Sequence, residues 1–238
     1  SIVKDNIFAV IENYARKKEI PLEILRFPIH DEELWAMTFL KNGTIFVCVN
    51  SELALCKQFF AAAHELYHIY CYVEDADQSY IKNGSMLDSD TVNETGKTQE
   101  DVEANAFAGL LLMPDQLLSN QINLFGIDKD DMDTDSVLSL MDMFAIPYKA
   151  TVLRLYESNC IKRHKAEELF CVTAEDVEKR VELTGKAKRW QLDGSGTESF
   201  GTLLEKADYN TEHAQCYNIN DNVILWTTVR KNLRTLRE

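Results

Sequence analysis

The sequence predicts an α+β fold, mostly helical, with a small antiparallel sheet near its start. Three observations predict it. Apolar residues recur at helical spacing over residues 2–18, 52–72 and 99–113. Short runs rich in β-branched and aromatic residues lie at 22–29, 34–40 and 45–49. Only nine Gly and four Pro interrupt 238 residues, so the periodic segments are long.

The elements follow in order. Ile2, Val3, Ile7, Phe8, Val10, Ile11 and Tyr14 share a helical face, and Arg16-Lys17-Lys18 places cations at its negative end. Pro21 stops this helix. Leu22–Ile29, Leu34–Leu40 and Ile45–Val49 read as strands. The last two flank Lys41-Asn42-Gly43-Thr44, whose Asn-Gly pair favours the positive φ of a tight hairpin. Asn50-Ser51 is placed to cap a helix running to about Tyr72. Residues 74–99 are polar and read as a long loop or small hairpin. A helix over Gln99–Met113 ends at Pro114, and 115–125 is helical again. The acidic run 128–135 has no Gly at the sixth loop position and no Glu at the twelfth, so it reads as a solvated linker and not a calcium loop. Residues 136–170 form two or three helices broken at Ile146-Pro147. Thr173-Ala174-Glu175-Asp176 resembles a capping box. Gln215–Ile219 and Val223–Val229 read as strands.

Composition narrows the function. With 45% hydrophobic residues the chain can bury an ordinary core. A formal charge of −14 repels a phosphate backbone, so nucleic-acid binding by the chain as a whole is not expected. The basic end (Arg230, Lys231, Arg234, Arg237) reads as a solvated helical tail. Six Cys form no C-x-x-C pair and sit mostly among apolar neighbours, as buried reduced thiols do. The first residues do not read as a signal peptide, and no apolar run reaches spanning length. A cytoplasmic protein with no membrane contact is expected.

Within the second helix stands His64-Glu65-Leu66-Tyr67-His68. Two His four apart rise one turn above each other on one face and can share a metal ion. Glu65 beside them can take a proton from an attacking water. His30, His164 and His213 are isolated, so a third ligand is expected to be a carboxylate on another helix, as in His₂Glu sites. The helix at 99–113 offers Glu100 and Glu103, with Asp101 between them. Glu103 opens the small apolar segment Ala104-Asn105-Ala106-Phe107-Ala108-Gly109 and is the preferred candidate. An exposed acid in a helix's first turn is the plain alternative.

These residues resemble the ImmA/IrrE family of zinc metallo-endopeptidases. The resemblance rests on a strand ending in Asn50, on Phe60-Ala61-Ala62-Ala63-His64-Glu65-Leu66-Tyr67-His68, and on the run Glu103 to Pro114 (E-A-N-A-F-A-G-L-L-L-M-P). It covers roughly residues 1–170, and Arg154-Leu155 fits the helical segment that follows the family's peptidase core. Tyr67 departs from the family's Gly, and Ala61 from its Thr. The resemblance implies a zincin-like peptidase domain over 1–127 and a helix-turn-helix-like segment over 136–170; residues 171–238 read as a small C-terminal α/β region with no match in the family and no assigned role. It also implies zinc held by His64, His68 and Glu103, with Glu65 as general base. Tyr67, Tyr70 and Tyr72 are nearby hydroxyls for an oxyanion, though packing suits all three better. The strand Ile45–Val49 reads as a core strand, and as a candidate for β-augmentation by substrate if it lies at the sheet edge. The implied partner is a protein substrate, a DNA-binding helix-turn-helix repressor whose cleavage relieves repression. A non-catalytic protein-binding regulator with a structural or degenerate metal site is the rival.

Overall fold

The computed structural model describes residues 2–74, 85–88, 98–185 and 194–203, together with 205, 206 and 209. Ser1–Glu198 forms one compact unit and Ser199–Glu238 a second. The two C-terminal strands expected at 215–229 lie outside the described residues.

A 3₁₀ turn over Lys4–Asn6 leads into α1 (Ile7–Lys17), whose Ile7, Ile11 and Ala15 are buried. Three strands follow: β1 (Leu22–Phe27), β2 (Leu34–Lys41) and β3 (Thr44–Asn50). Then come α2 (Leu55–Glu74), β4 (Ser85–Asp88), α3 (Gln99–Leu112) and α4 (Asp115–Phe125). There follow α5 (Thr134–Phe144), α6 (Tyr148–Glu157), α7 (Arg163–Phe170) and α8 (Ala174–Leu183).

The sheet order is β1-β3-β2-β4. The expected hairpin is present: β2 pairs antiparallel with β3, and Asn42 (φ 51°) and Gly43 (φ 77°) both take positive φ at its turn. The sheet is mixed and not purely antiparallel, because β1 runs parallel to β3, with Leu22 opposite Ile45 and Phe27 opposite Asn50. This corrects the expectation of a purely antiparallel sheet. β3 is flanked on both sides, so its backbone groups are committed and it offers no edge for an added substrate strand. The segment 74–99 contributes an edge strand, β4, antiparallel to β2.

Asn50 does not cap α2, which begins four residues beyond Ser51. Its amide instead ties down the segment between β1 and β2. The Asn50 carbonyl accepts from the Ile29 and Glu52 amides, and its NH₂ donates to the carbonyls of Ile29, Asp31 and Leu34. Asn50 is fully buried, so these bonds meet the need of its polar atoms for partners.

α2 packs across β2 and β3 and alongside α3. Ala61, Ala62 and Ala63 are fully buried and let these elements approach closely. α3 opens on a capping box between Thr98 and Asp101 and stops before Pro114. α5 and α6 are joined by residues 145–147 and diverge by 99°, a helix-turn-helix arrangement. Ala145 makes the turn at φ 56°. The helical segment and the first 127 residues share one hydrophobic core. Buried Arg154 of α6 donates to the Met113 carbonyl and pairs with Asp115 and Glu157. Its stem covers Gly109, where a Cβ would lie 2.6 Å from Arg154 Cδ. No single helix among the described residues is long and apolar enough to cross a membrane.

Candidate metal centre

α2 carries His64 and His68 one turn apart, and both are buried. Their Nε2 atoms face each other at 3.0 Å. Each Nδ1 is held from α3: His64 Nδ1 is 3.0 Å from Asn105 Oδ1, and His68 Nδ1 is 2.6 Å from Glu100 Oε1. A carboxylate and an amide carbonyl accept hydrogen bonds, so each Nδ1 carries the proton and each Nε2 presents a lone pair. Two lone pairs aimed at each other repel unless a cation lies between them. Tetrahedral zinc with ligands at about 2.0–2.1 Å spaces two nitrogens by about 3.3 Å. The observed separation is a few tenths of an ångström shorter. The residues therefore fit a divalent metal, with outer partners that fix the tautomers, as ligating His residues require.

Burial drives the His64 pKa below its ordinary value, against the opposing pull of the Glu65 charge. A neutral imidazole is the ligating form, so burial prepares the site for metal.

The third donor in reach is Asp101. Ligand atoms of His64, His68 and Asp101 lie within 4.8 Å of one another, with Asp101 Oδ1 3.9 Å from His64 Nε2. Asp101 also closes the helix cap: its Oδ2 accepts from the Thr98 amide and hydroxyl. The cap thus holds the carboxylate while its other oxygen faces the His pair.

Glu103, preferred from the sequence, is not brought to this cluster. It is exposed, and its Oε2 accepts the Tyr67 hydroxyl at 2.5 Å while its Oε1 accepts from Gln99 at 3.0 Å. Those two donors hold its carboxyl below the usual range. The reason is helical geometry: Glu103 lies about 200° around the helix from Asp101, at about 100° per residue. Asn105, four residues after Asp101, shares the inward face. That Asp101–Asn105 spacing is the sequence signal that would have found the inward donor.

Glu65 is fully buried, and its charge acts on both His64 and Cys48. Burial first, then the Glu65 charge, raises the Cys48 thiol to about 12. The three tyrosines point elsewhere. Tyr67 binds Glu103 and packs on Phe107 with ring centres 5.7 Å apart, Tyr70 lies against Tyr14 at 6.3 Å, and Tyr72 packs on the core. Cys48, Cys56 and Cys160 are buried free thiols, as expected; Cys71 is half-buried and Cys171 exposed.

The family model described as the IrrE N-terminal-like domain, Peptidase_M78, matches residues 17–156. No curated protein matches the chain. The matched span includes the sheet, the two helices α2 and α3 that carry the His64, His68 and Asp101 cluster, and nearly all of α6, more than half of the chain. With its paired His residues on one helix and its carboxylates on the next, the chain belongs to the Peptidase_M78 family of IrrE N-terminal-like domains.

Proposed function

We propose that this protein is a zinc-dependent endopeptidase that cleaves a helix-turn-helix repressor and thereby relieves repression. One observation carries the metallopeptidase reading: two facing Nε2 atoms, each imidazole oriented by a partner from α3, with a buried glutamate next to the first His. His64, His68 and Asp101 would hold the metal. When bound, the metal supplies Lewis acidity for water and for the peptide carbonyl. Glu65 accepts the proton of the attacking water and returns it to the leaving amine. Asn105 and Glu100 keep the imidazoles in the ligating tautomer. Burial of the pair excludes bulk solvent, so each of these charges acts in a medium of low polarity.

The family resemblance supports a peptide substrate, and the acidic surface suits a basic DNA-binding partner. The test is co-expression with helix-turn-helix repressors, each reporting through its own operator. Wild type should cleave one of them and release its operator. Glu65→Gln should bind the same amount of metal and lose at least about 100-fold in cleavage. Equal cleavage by Glu65→Gln would refute the mechanism, and a cleavage rate insensitive to salt would refute charge steering.

A further inference from the structure

A cavity of about 510 Å³, within the size range of ligand pockets, lies beside α3, and Asn105, the partner of His64, is one of its lining residues. One wall is Phe60, Asn105 and Gly109 of α2 and α3; the other belongs to α6 and α7. Asn105 belongs to both places: it lines the cavity and holds His64 Nδ1. Three large apolar side chains line the cavity while remaining exposed: Leu153 (36%), Tyr156 (42%) and Phe170 (36%). Phe60 and Ala166 line it as buried residues. Two of its cations are answered within the wall. Arg163 pairs with Glu167 at 2.8 Å and Arg154 with Glu157 at 3.0 Å. Neither pair calls for a charged ligand, and apolar side chains open to solvent favour an apolar one.

Resting on the peptidase reading, we propose that this cavity is a substrate subsite for an apolar side chain of the leucine or phenylalanine class. That side chain belongs to the peptide segment flanking the scissile bond. Spacing supports this. From Asp101, at the metal end of α3, to Asn105 is about 6 Å along the helix, and to Gly109 about 12 Å. An extended peptide advances about 3.3 Å per residue. The occupant therefore sits two to four residues from the bond that is cut. The helix-turn-helix arm, through α6, then has a direct part in peptide selection: it supplies the far wall of the cavity.

Two measurements test this, one without turnover. In the first, N-acetyl-leucine amide, N-acetyl-phenylalanine amide and N-acetyl-glycine amide are titrated into protein carrying ¹³C-labelled Ala and Leu methyls. The leucine and phenylalanine probes should shift the Ala150, Leu153 and Ala166 methyls; the glycine probe should not. Leu153→Glu, or Phe170→Glu should the first variant misfold, should abolish the remaining shifts. Equal response to all three probes, or none, overturns the subsite. In the second, zinc-loaded protein digests a mixed peptide library. Cut sites should be enriched at least about five-fold in Leu and Phe at one position two to four residues away, a change of about 1 kcal/mol. Leu153→Glu should lose that enrichment with its zinc content unchanged. Cleavage without the enrichment overturns the subsite and leaves the peptidase intact. Selective probe binding with no peptide cut upholds the apolar site and counts against the peptidase.

Discussion

The Tyr67 hydroxyl donates to Glu103 Oε2 at 2.5 Å, and this bond ties α2 to α3 on the side away from the His64, His68 and Asp101 cluster. The Tyr67 ring also lies edge-on to His68, with centres 6.1 Å apart, and packs on Phe107. Glu103 is therefore spoken for by a tyrosine that stands where the family has glycine. The carboxylate of Asp101 takes the inward position. α3 presents two acidic faces to α2: Glu103 outside on Tyr67, and Glu100 with Asp101 inside on the His pair.

The outer partners of the imidazoles have a measurable role. Asn105→Ala and Glu100→Ala each remove an acceptor from one Nδ1 and free the wrong tautomer. Zinc affinity, measured by competition with a chromophoric chelator, should fall about 10–100-fold in each variant. Unchanged affinity in both would show that the rings need no orienting from α3.

Gly109 faces the Arg154 stem so closely that a Cβ would meet it at 2.6 Å. Arg154 is only 4% exposed and bonded at its guanidinium, so it has little room to yield. Gly109→Ala should destabilise the protein by about 1–3 kcal/mol, the usual cost of overpacking. Urea denaturation measures this, and a shift below about 0.5 kcal/mol would contradict the close packing of α3 on α6.

The lowered pKa of His64 predicts how metal-free protein responds to acid. Above the ordinary His value of about 6.5, the imidazole is neutral in both folded and unfolded chains and contributes no pH dependence. Below it, the unfolded chain takes up a proton that the folded chain resists. Stability should then decline as pH falls from about 6.5 toward the lower folded value. Thermal unfolding of chelator-treated protein between pH 7.5 and 5 should show this decline, and His64→Gln should flatten it. An equal decline in that variant would assign the effect to other groups.

Much of this arrangement was legible in the sequence because it is local. The His pair is one turn of a single helix, and the hairpin is one Asn-Gly turn. The break between α5 and α6 falls at Ala145-Ile146-Pro147, as the proline suggests. What escaped is set by contacts between distant segments. The parallel pairing of β1 with β3 depends on how α1 and β1 lie against the later hairpin, and strand periodicity alone carries no such information. The role of Asn50 depends on four carbonyl and amide groups around residue 30. On α3, Glu103 belongs to the E-A-N run, yet which face turns inward is decided by packing against α2. Position 101, four before Asn105, shares that face, and an acid in a helix's first turn is too common for dipole reasons to stand out by residue type alone.

The most direct test compares metal content in Asp101→Ala and Glu103→Ala. Both proteins, with wild type, are purified with zinc present, dialysed, and assayed by elemental analysis beside circular dichroism to confirm folding. Wild type and Glu103→Ala should retain about one zinc per chain, and Asp101→Ala should lose it. Loss in Glu103→Ala with retention in Asp101→Ala would contradict the site described here and restore Glu103 as the third ligand.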